Sequence, residues 1–294
     1  AYNYYAKFPK DSLYARCMYY MGFYYSLNDS LERANYCLKE AQRTAKVQKD
    51  TATLCLAMTR YSWVVRKTHP EAGLEYAKRV LGLYEKYSKR NVFNIVYNTL
   101  MVCECENFCG NPRRAFSLAQ QAEKNALALG DSTVISDVYQ DMAYFAVSLG
   151  DKRSTHFALL SCRYSDTRFV SKRLMLAKAY EKTGNCHECI NLLDTLRLEN
   201  NGQRYEAFAM RHRAAVKLND PAALSYADSA YHYIEAMFDD ELCDKTIYFE
   251  NLMQEKTERL QAEAWTVLYK VFCLGILTVS YTHLRAHETG AYLV

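Results

Sequence analysis

Proline and glycine are scarce, four and ten among 294 residues. Strand-like segments are lacking as well, which leaves long helices joined by short turns as the expected architecture. No sign of charge dominates: 37 Lys and Arg stand against 33 Asp and Glu, a net charge of +4. Basic clusters such as Arg113-Arg114 and Arg211-His212-Arg213 lie on otherwise amphipathic stretches. Without a concentrated basic surface, nucleic-acid binding by this segment is not expected. Catalytic signatures are missing too: there is no Gly-rich phosphate loop, no H-E-x-x-H and no G-x-S-x-G. Carboxylates such as Glu104, Glu106, Asp239 and Asp240 have the look of solvated helix faces. The segment is therefore expected to be neither an enzyme nor a cofactor carrier. The N-terminal AYNYYAKFPKDS has no initiator Met, basic n-region or apolar h-region, so the chain is expected to begin part-way into a longer protein, with residues 1–10 left from a preceding segment.

Eleven cysteines are present, an odd number without the regular spacing of a small secreted disulfide scaffold. They fit small buried apolar residues, and a few disulfides within the set would leave the compartment open. The 26 tyrosines suit packing between helices, with the ring buried and the hydroxyl wet; stacking on a sugar is the alternative.

A turn recurs through the chain. Asn28-Asp29, His69-Pro70, Gly110-Asn111-Pro112, Gly150-Asp151, Gly184-Asn185 and Asn219-Asp220-Pro221 each divide two amphipathic stretches. Breakers at a period of roughly 34 to 45 residues are the signature of a helical solenoid, in which no unit buries its own apolar face. After each turn, small or apolar residues recur at i, i+4 and i+7. The sets are Ala34, Leu38, Ala41; Ala115, Ala119, Ala122; Thr155, Leu159, Cys162; Cys189, Leu193, Leu196; and Ala223, Ala227, Ala230. Such stripes let the second helix of a pair approach the first closely. The second hairpin fits less well, with Ala72 and Tyr76 followed by Arg79.

Here the chain resembles the tetratricopeptide repeat family. In LAKAYEKTGNCHECINLLDTL, residues 176–196, Ala177, Tyr180, Gly184, Asn185 and Cys189 occupy the family's pattern positions. Gly22, Tyr25 and Ala34, then Gly110, Asn111 and Ala115, then Ala143, Gly150 and Asp151, support it in other units. The resemblance covers residues 11–240 and implies an all-α, right-handed solenoid of about six stacked antiparallel helix pairs. The first helices of the third and fourth units exceed the family's length, and the sixth lacks a clear Leu-Gly pair.

Repeat register also bears on Cys186-His187-Glu188-Cys189, a C-x-x-C that could form a redox pair or half a zinc site. Cys189 falls where the family has its packing Ala, and no second C-x-x-C or His pair completes four ligands. No metal is expected there, nor at Cys103, Cys105 and Cys109.

Beyond residue 240 the pattern changes to one connecting amphipathic helix over 241–264, with Leu242, Phe249, Leu252, Met253 and Leu260 on its apolar stripe. Trp265, Tyr269 and Lys270 look like an interfacial anchor opening a truncated membrane helix over 265–278. A hydrophobic helix capping the solenoid is the alternative. VSYTHLRAHET, residues 279–289, resembles a codon-by-codon translation of a transposon-based sequencing-library adapter, and Tyr292-Leu293-Val294 fits its far side. Residues 279–294 are thus expected to be non-native, and the pair His283 and His287 carries no functional weight.

Repeats followed by a connecting helix and a membrane span are similar in order to membrane-anchored regulators with an extracytoplasmic, periplasmic tetratricopeptide sensor and a cytoplasmic output. That resemblance implies a peptide or protein segment bound in a concave groove, membrane attachment through the C-terminal helix and a possible homodimer. By family register the groove includes Glu104 and Asn107 of the third unit, Asp137, Gln140 and Tyr144 of the fourth, and Lys178, Glu181 and Lys182 of the fifth. The alternatives are a soluble cytoplasmic scaffold without a span and the sensor region of a histidine kinase.

Overall fold

The computed structural model describes residues 13–28, 30–87, 91–166, 169–238, 257 and 260–274, and every regular element among them is helical. In order these are α1 (Tyr14–Leu27), α2 (Leu31–Gln48), α3 (Thr51–Val65), α4 (Pro70–Tyr87), α5 (Val92–Phe108) and α6 (Pro112–Leu129). There follow α7 (Ser132–Leu149), α8 (Ser154–Tyr164), α9 (Val170–Thr183), α10 (Cys186–Asp194) and α11 (Asn201–Leu218). Helix α12 covers 223–238, and a further helical stretch covers 260–274. The chain divides into two compact units, Ala1–Leu242 and Cys243–Val294.

Local chemistry sets the helix ends. Asp50, Asn91, Asp131 and Asn200 each accept a backbone N–H two or three residues on, capping α3, α5, α7 and α11; such caps are each worth about 1 kcal/mol. Pro70 and Pro112 open α4 and α6, where a missing N–H costs nothing. At the recurring turns Gly110, Gly150 and Gly184 adopt φ of +82°, +67° and +88°, and Asn219 takes the same left-handed region at +54°. A side chain is strained there, which explains the residue types.

Each helix packs on the next, and the odd-numbered helices also touch one another in series: α1 on α3, α3 on α5, α5 on α7, α7 on α9 and α9 on α11. Among the described residues of α1 to α11, no even-numbered helix reaches the next even one. The odd helices therefore form the closer-spaced inner layer and the even helices the outer one. The core lies between the layers. At its centre Val96, Leu100, Ala115, Ala119, Val134, Val138, Met142 and Phe145 are buried together.

The small-residue stripes face that core. Ala34, Leu38 and Ala41 are fully buried, as are Ala115, Ala119 and Ala122. Two sets need correction by one residue. In α4 the buried stripe is Gly73, Ala77 and Val80, and in α8 it is Ser154, Ala158 and Ser161, while Leu159 is exposed. The second hairpin thus fits as well as the others. The α8 stripe starts four residues after Gly150, one position earlier than after Gly110 or Gly184, and opens at the first residue of its helix rather than the fourth. In α10, Cys189 and Leu193 are buried and Leu196 falls beyond the helix end; in α12 only Ala230 of its set is buried.

Among the described residues no helix is long and apolar enough to cross a membrane. Most of the expected connecting helix, the last residues of the expected span and the whole of 279–294 lie outside the described residues.

Candidate functional site

The inner layer presents one repeated face. Counting from the helix starts, the sixth residues of α1, α3, α5 and α7 are Tyr19, Leu56, Tyr97 and Asp137. The tenth are Phe23, Arg60, Met101 and Asp141, and the thirteenth are Ser26, Trp63, Glu104 and Tyr144. Positions spaced i, i+4 and i+7 share one side of a helix, so these form three parallel rows across successive units. Contacts run along the rows from one odd helix to the next. The Arg60 guanidinium lies 4.0 Å from the Phe23 ring centroid and 5.2 Å from that of Trp63. Tyr97 donates its hydroxyl to Asp137 Oδ2 at 2.6 Å, and this bond adds to burial in pushing the Tyr97 phenol up.

Two ion pairs cross the face. Arg66, just past α3, pairs its Nε with Glu104 Oε2 at 2.7 Å and stacks 4.2 Å from the Trp63 ring. Lys172 of α9, almost wholly buried, bonds Asp137 Oδ1. Burial raises the Glu104 carboxyl against the opposing pull of Arg66. Asp141 lies between these pairs. Burial first, then the Glu104 and Asp137 carboxylates, push its pKa well above the usual range, against Lys172 and Arg66. No ion pair or hydrogen bond engages its carboxyl among the described residues. Further along, Lys178 sits 5.4 Å from the Tyr144 ring and 3.7 Å from Glu206.

Sequence register and structure meet unevenly here. Glu104 and Tyr144 lie in the thirteenth-residue row, with Lys178 against Tyr144; Asp137 is in the sixth-residue row, and Asn107 and Gln140 are half-buried on the same helices. Glu181 differs. Its side chain is 1% exposed and is faced by Lys217 at 3.0 Å, Arg213 at 3.4 Å and Lys182 at 3.7 Å, a clamp between α9 and α11 rather than a free groove position. Lys182 is an exposed member of that clamp. Glu106 is its counterpart between α4, α5 and α6, buried against Lys78 at 2.9 Å and Arg114 at 3.3 Å; it is not the solvated carboxylate its sequence context suggested. Sequence reasoning missed Arg60, Arg66, Tyr97, Asp141 and Lys172. Carrying the position of Tyr144 through all units, and then one turn back, would have found the first and fourth of these.

Cys186 and Cys189 are buried with Leu174, Ala207 and Met210 between α9, α10 and α11. Burial pushes the Cys189 thiol up to about 12. That is the opposite of the lowered pKa a redox-active thiol needs. Cys103 and Cys105 are fully buried in α5.

No family model matches the chain, and no curated protein matches it in sequence. Solved structures do match it. A Rap protein complexed with competence and sporulation factor is 16% identical with a TM-score of 0.58, over 81% of this chain and 77% of that one. BtubC from P. vanneervenii is 13% identical with a TM-score of 0.53, over 72% and 92% of the two chains. The fold is a tetratricopeptide-like solenoid. A third solenoid of this kind lies in a signal-transduction ATPase with numerous domains from Pyrococcus horikoshii, which carries a tetratricopeptide repeat sensor. It is 15% identical with a TM-score of 0.51, over 77% of this chain and 38% of that one.

Proposed function

We propose that the solenoid is a protein-interaction scaffold that binds an extended peptide or protein segment along its inner face. The observation carrying this reading is the three aligned rows, whose charged and aromatic side chains stay half-open to water although they stand on the most closely packed layer. A face needed only for stability would hold the apolar residues that fill the core beneath it. The similar Rap protein, complexed with competence and sporulation factor, supports the same use of the fold. Replacing Tyr144 and Lys178 together by Ala should weaken capture of the partner in a pull-down or calorimetric titration while leaving the helical circular dichroism intact. Unchanged affinity would remove this face from consideration.

The finer reading is that the segment is the sensory part of a membrane-anchored signalling or transcriptional regulator, in which binding shifts curvature or dimerisation and the C-terminal helix carries the change onward. It is favoured by the helical stretch 260–274, where Trp265, Val267, Leu268, Tyr269, Val271, Phe272 and Leu274 are all exposed. Such an all-round apolar surface needs a lipid or protein covering. Fractionation of the product of the intact gene tests it: recovery in the carbonate-washed membrane pellet is expected, and recovery wholly in the supernatant would favour the scaffold without an anchor.

A further inference from the structure

Two groups of opposite charge stand in the tenth-residue row, two units apart, each without an ion-pair partner among the described residues. Arg60 lies on the Phe23 and Trp63 rings, and among the described residues no carboxylate comes within ion-pair distance of it. Stacking satisfies the flat faces of a guanidinium and leaves its N–H edges to bind an anionic group, without further ordering cost to the side chain. Asp141 holds the same position on α7 with no donor on its carboxyl among the described residues, while the flanking carboxylates Glu104 and Asp137 are already engaged by Arg66 and Lys172. Between them in the row stands Met101, which offers no charge.

Resting on the peptide-binding reading, we infer that the inner face selects an extended peptide carrying an acidic group that docks on Arg60 and a basic side chain that docks on Asp141. The spacing follows from the fold. Helix α5 separates α3 from α7, so two interaxial steps of about 10 Å each put the sites roughly 20 Å apart. At about 3.3 Å per residue, an extended peptide covers that distance in roughly six residues. Charge order along the peptide is set as well: a basic group at Arg60 would meet a like charge, whereas at Asp141 a basic group favours the ionised carboxylate and an acidic one opposes it.

A displayed library of random nonapeptides selected against the full chain tests this. Wild-type protein should enrich sequences with an acidic and a basic residue about six apart, in one order. The double variant Arg60→Glu with Asp141→Arg should enrich the opposite order. The neutral variants Arg60→Gln and Asp141→Asn, each checked for native helicity and melting temperature, should lose the acidic and the basic preference respectively. Each should bind the wild-type selected peptide about ten- to a hundredfold more weakly, the range for losing a charged hydrogen bond. If the double variant does not fold, the neutral variants decide. Enriched peptides without the charge pair, or with a pair indifferent to these substitutions, would overturn the inference and leave the peptide-binding reading standing. Failure to enrich any peptide would overturn both.

Discussion

Replacing Glu181 by Gln keeps the shape of a buried side chain and removes its charge from among Lys217, Arg213 and Lys182. Removing one partner from a fully buried pair costs about 3–5 kcal/mol. Here the three cations are 43–49% exposed while the carboxylate is 1% exposed, so water can solvate the cations again once the carboxylate is gone. What is lost is mainly the charge-assisted bond from Lys217 Nζ at 3.0 Å, a loss of about 1–2 kcal/mol once exposure is allowed for. The pH dependence has a definite sign. Burial raises the Glu181 pKa, but the Lys217 bond and the charges of Arg213, Lys182 and Lys217 outweigh it, and the folded value ends below the usual one. A carboxyl lowered on folding stabilises the protein above its unfolded pKa of about 4.3 and loses that contribution as pH falls through the folded value. Urea denaturation at a series of pH values should therefore show a constant gap between wild type and Glu181→Gln from pH 7 to about 5, closing below about 4.3. In a solenoid each unit is stabilised by its neighbours alone, so faster hydrogen exchange should concentrate in α9 to α11 and spare α1 to α4. The reasoning fails if no gap exists at pH 7, if the gap survives unchanged in acid, or if all helices lose protection equally.

Gly22→Ala places a Cβ 2.6 Å from Leu38 Cγ, where α1 and α2 touch; it should lower stability by about 1–3 kcal/mol in thermal or urea melts. Gly82→Ala on α4 meets nothing within 4 Å and should gain about 0.5–1 kcal/mol in the same assay. Gly184→Ala is also free of contacts, so its expected cost of about 1–2 kcal/mol comes from the backbone at φ +88°. Cys186 and Cys189 should resist iodoacetamide in the native chain and react after urea unfolding, as read by mass spectrometry; rapid native labelling of Cys189 would contradict its burial and raised pKa. A basic peptide bound at Asp141 should bind more weakly as pH falls, because the raised carboxyl pKa means that binding must displace a proton. Titration calorimetry in buffers of different ionisation enthalpy measures that proton release, and its absence would show that Asp141 does not take up the ligand's charge.

The turns were legible because their chemistry is local. A left-handed residue before a new helix asks for Gly or Asn whatever surrounds it, and Gly110, Gly150, Gly184 and Asn219 comply. The outer-helix stripes were legible to within one residue. In α4 the stripe lies three residues after the helix start, as in α2, α6 and α10, and only α8 departs, its stripe opening at the first helical residue. Repeat register placed Glu104, Asp137 and Tyr144 on the inner layer because successive odd helices repeat one face. It could not tell a free charge from a committed one. Glu181 is committed by Lys217 from a helix two places on, Asp137 by Tyr97 and Lys172 from either side, and pairings at such separations leave no local mark. Arg60 and Asp141 stayed hidden for the converse reason, since a lone charge on a helix looks the same whether or not a partner waits across the groove.

The polar contacts of the inner layer are also links between units. Arg66 bonds Glu104 across the second and third units, Tyr97 bonds Asp137 across the third and fourth, and Lys172 bonds the same Asp137 from the fifth. Elsewhere these units meet mainly through apolar packing, with the Lys78–Glu106 pair and the Thr59–Asn98 hydrogen bond beside it, and close-packed interiors lose dispersion contacts with any gap. A ligand lying along the rows competes for, or reinforces, the very bonds that set the angle between successive odd helices. Occupancy at Asp141 adds a charge between the Glu104 and Asp137 pairs and so acts on both junctions at once. Under the proposed binding mode, binding and curvature would share the same few side chains, and a ligand with different affinity for two curvatures would shift the array between them without any hinge in the backbone.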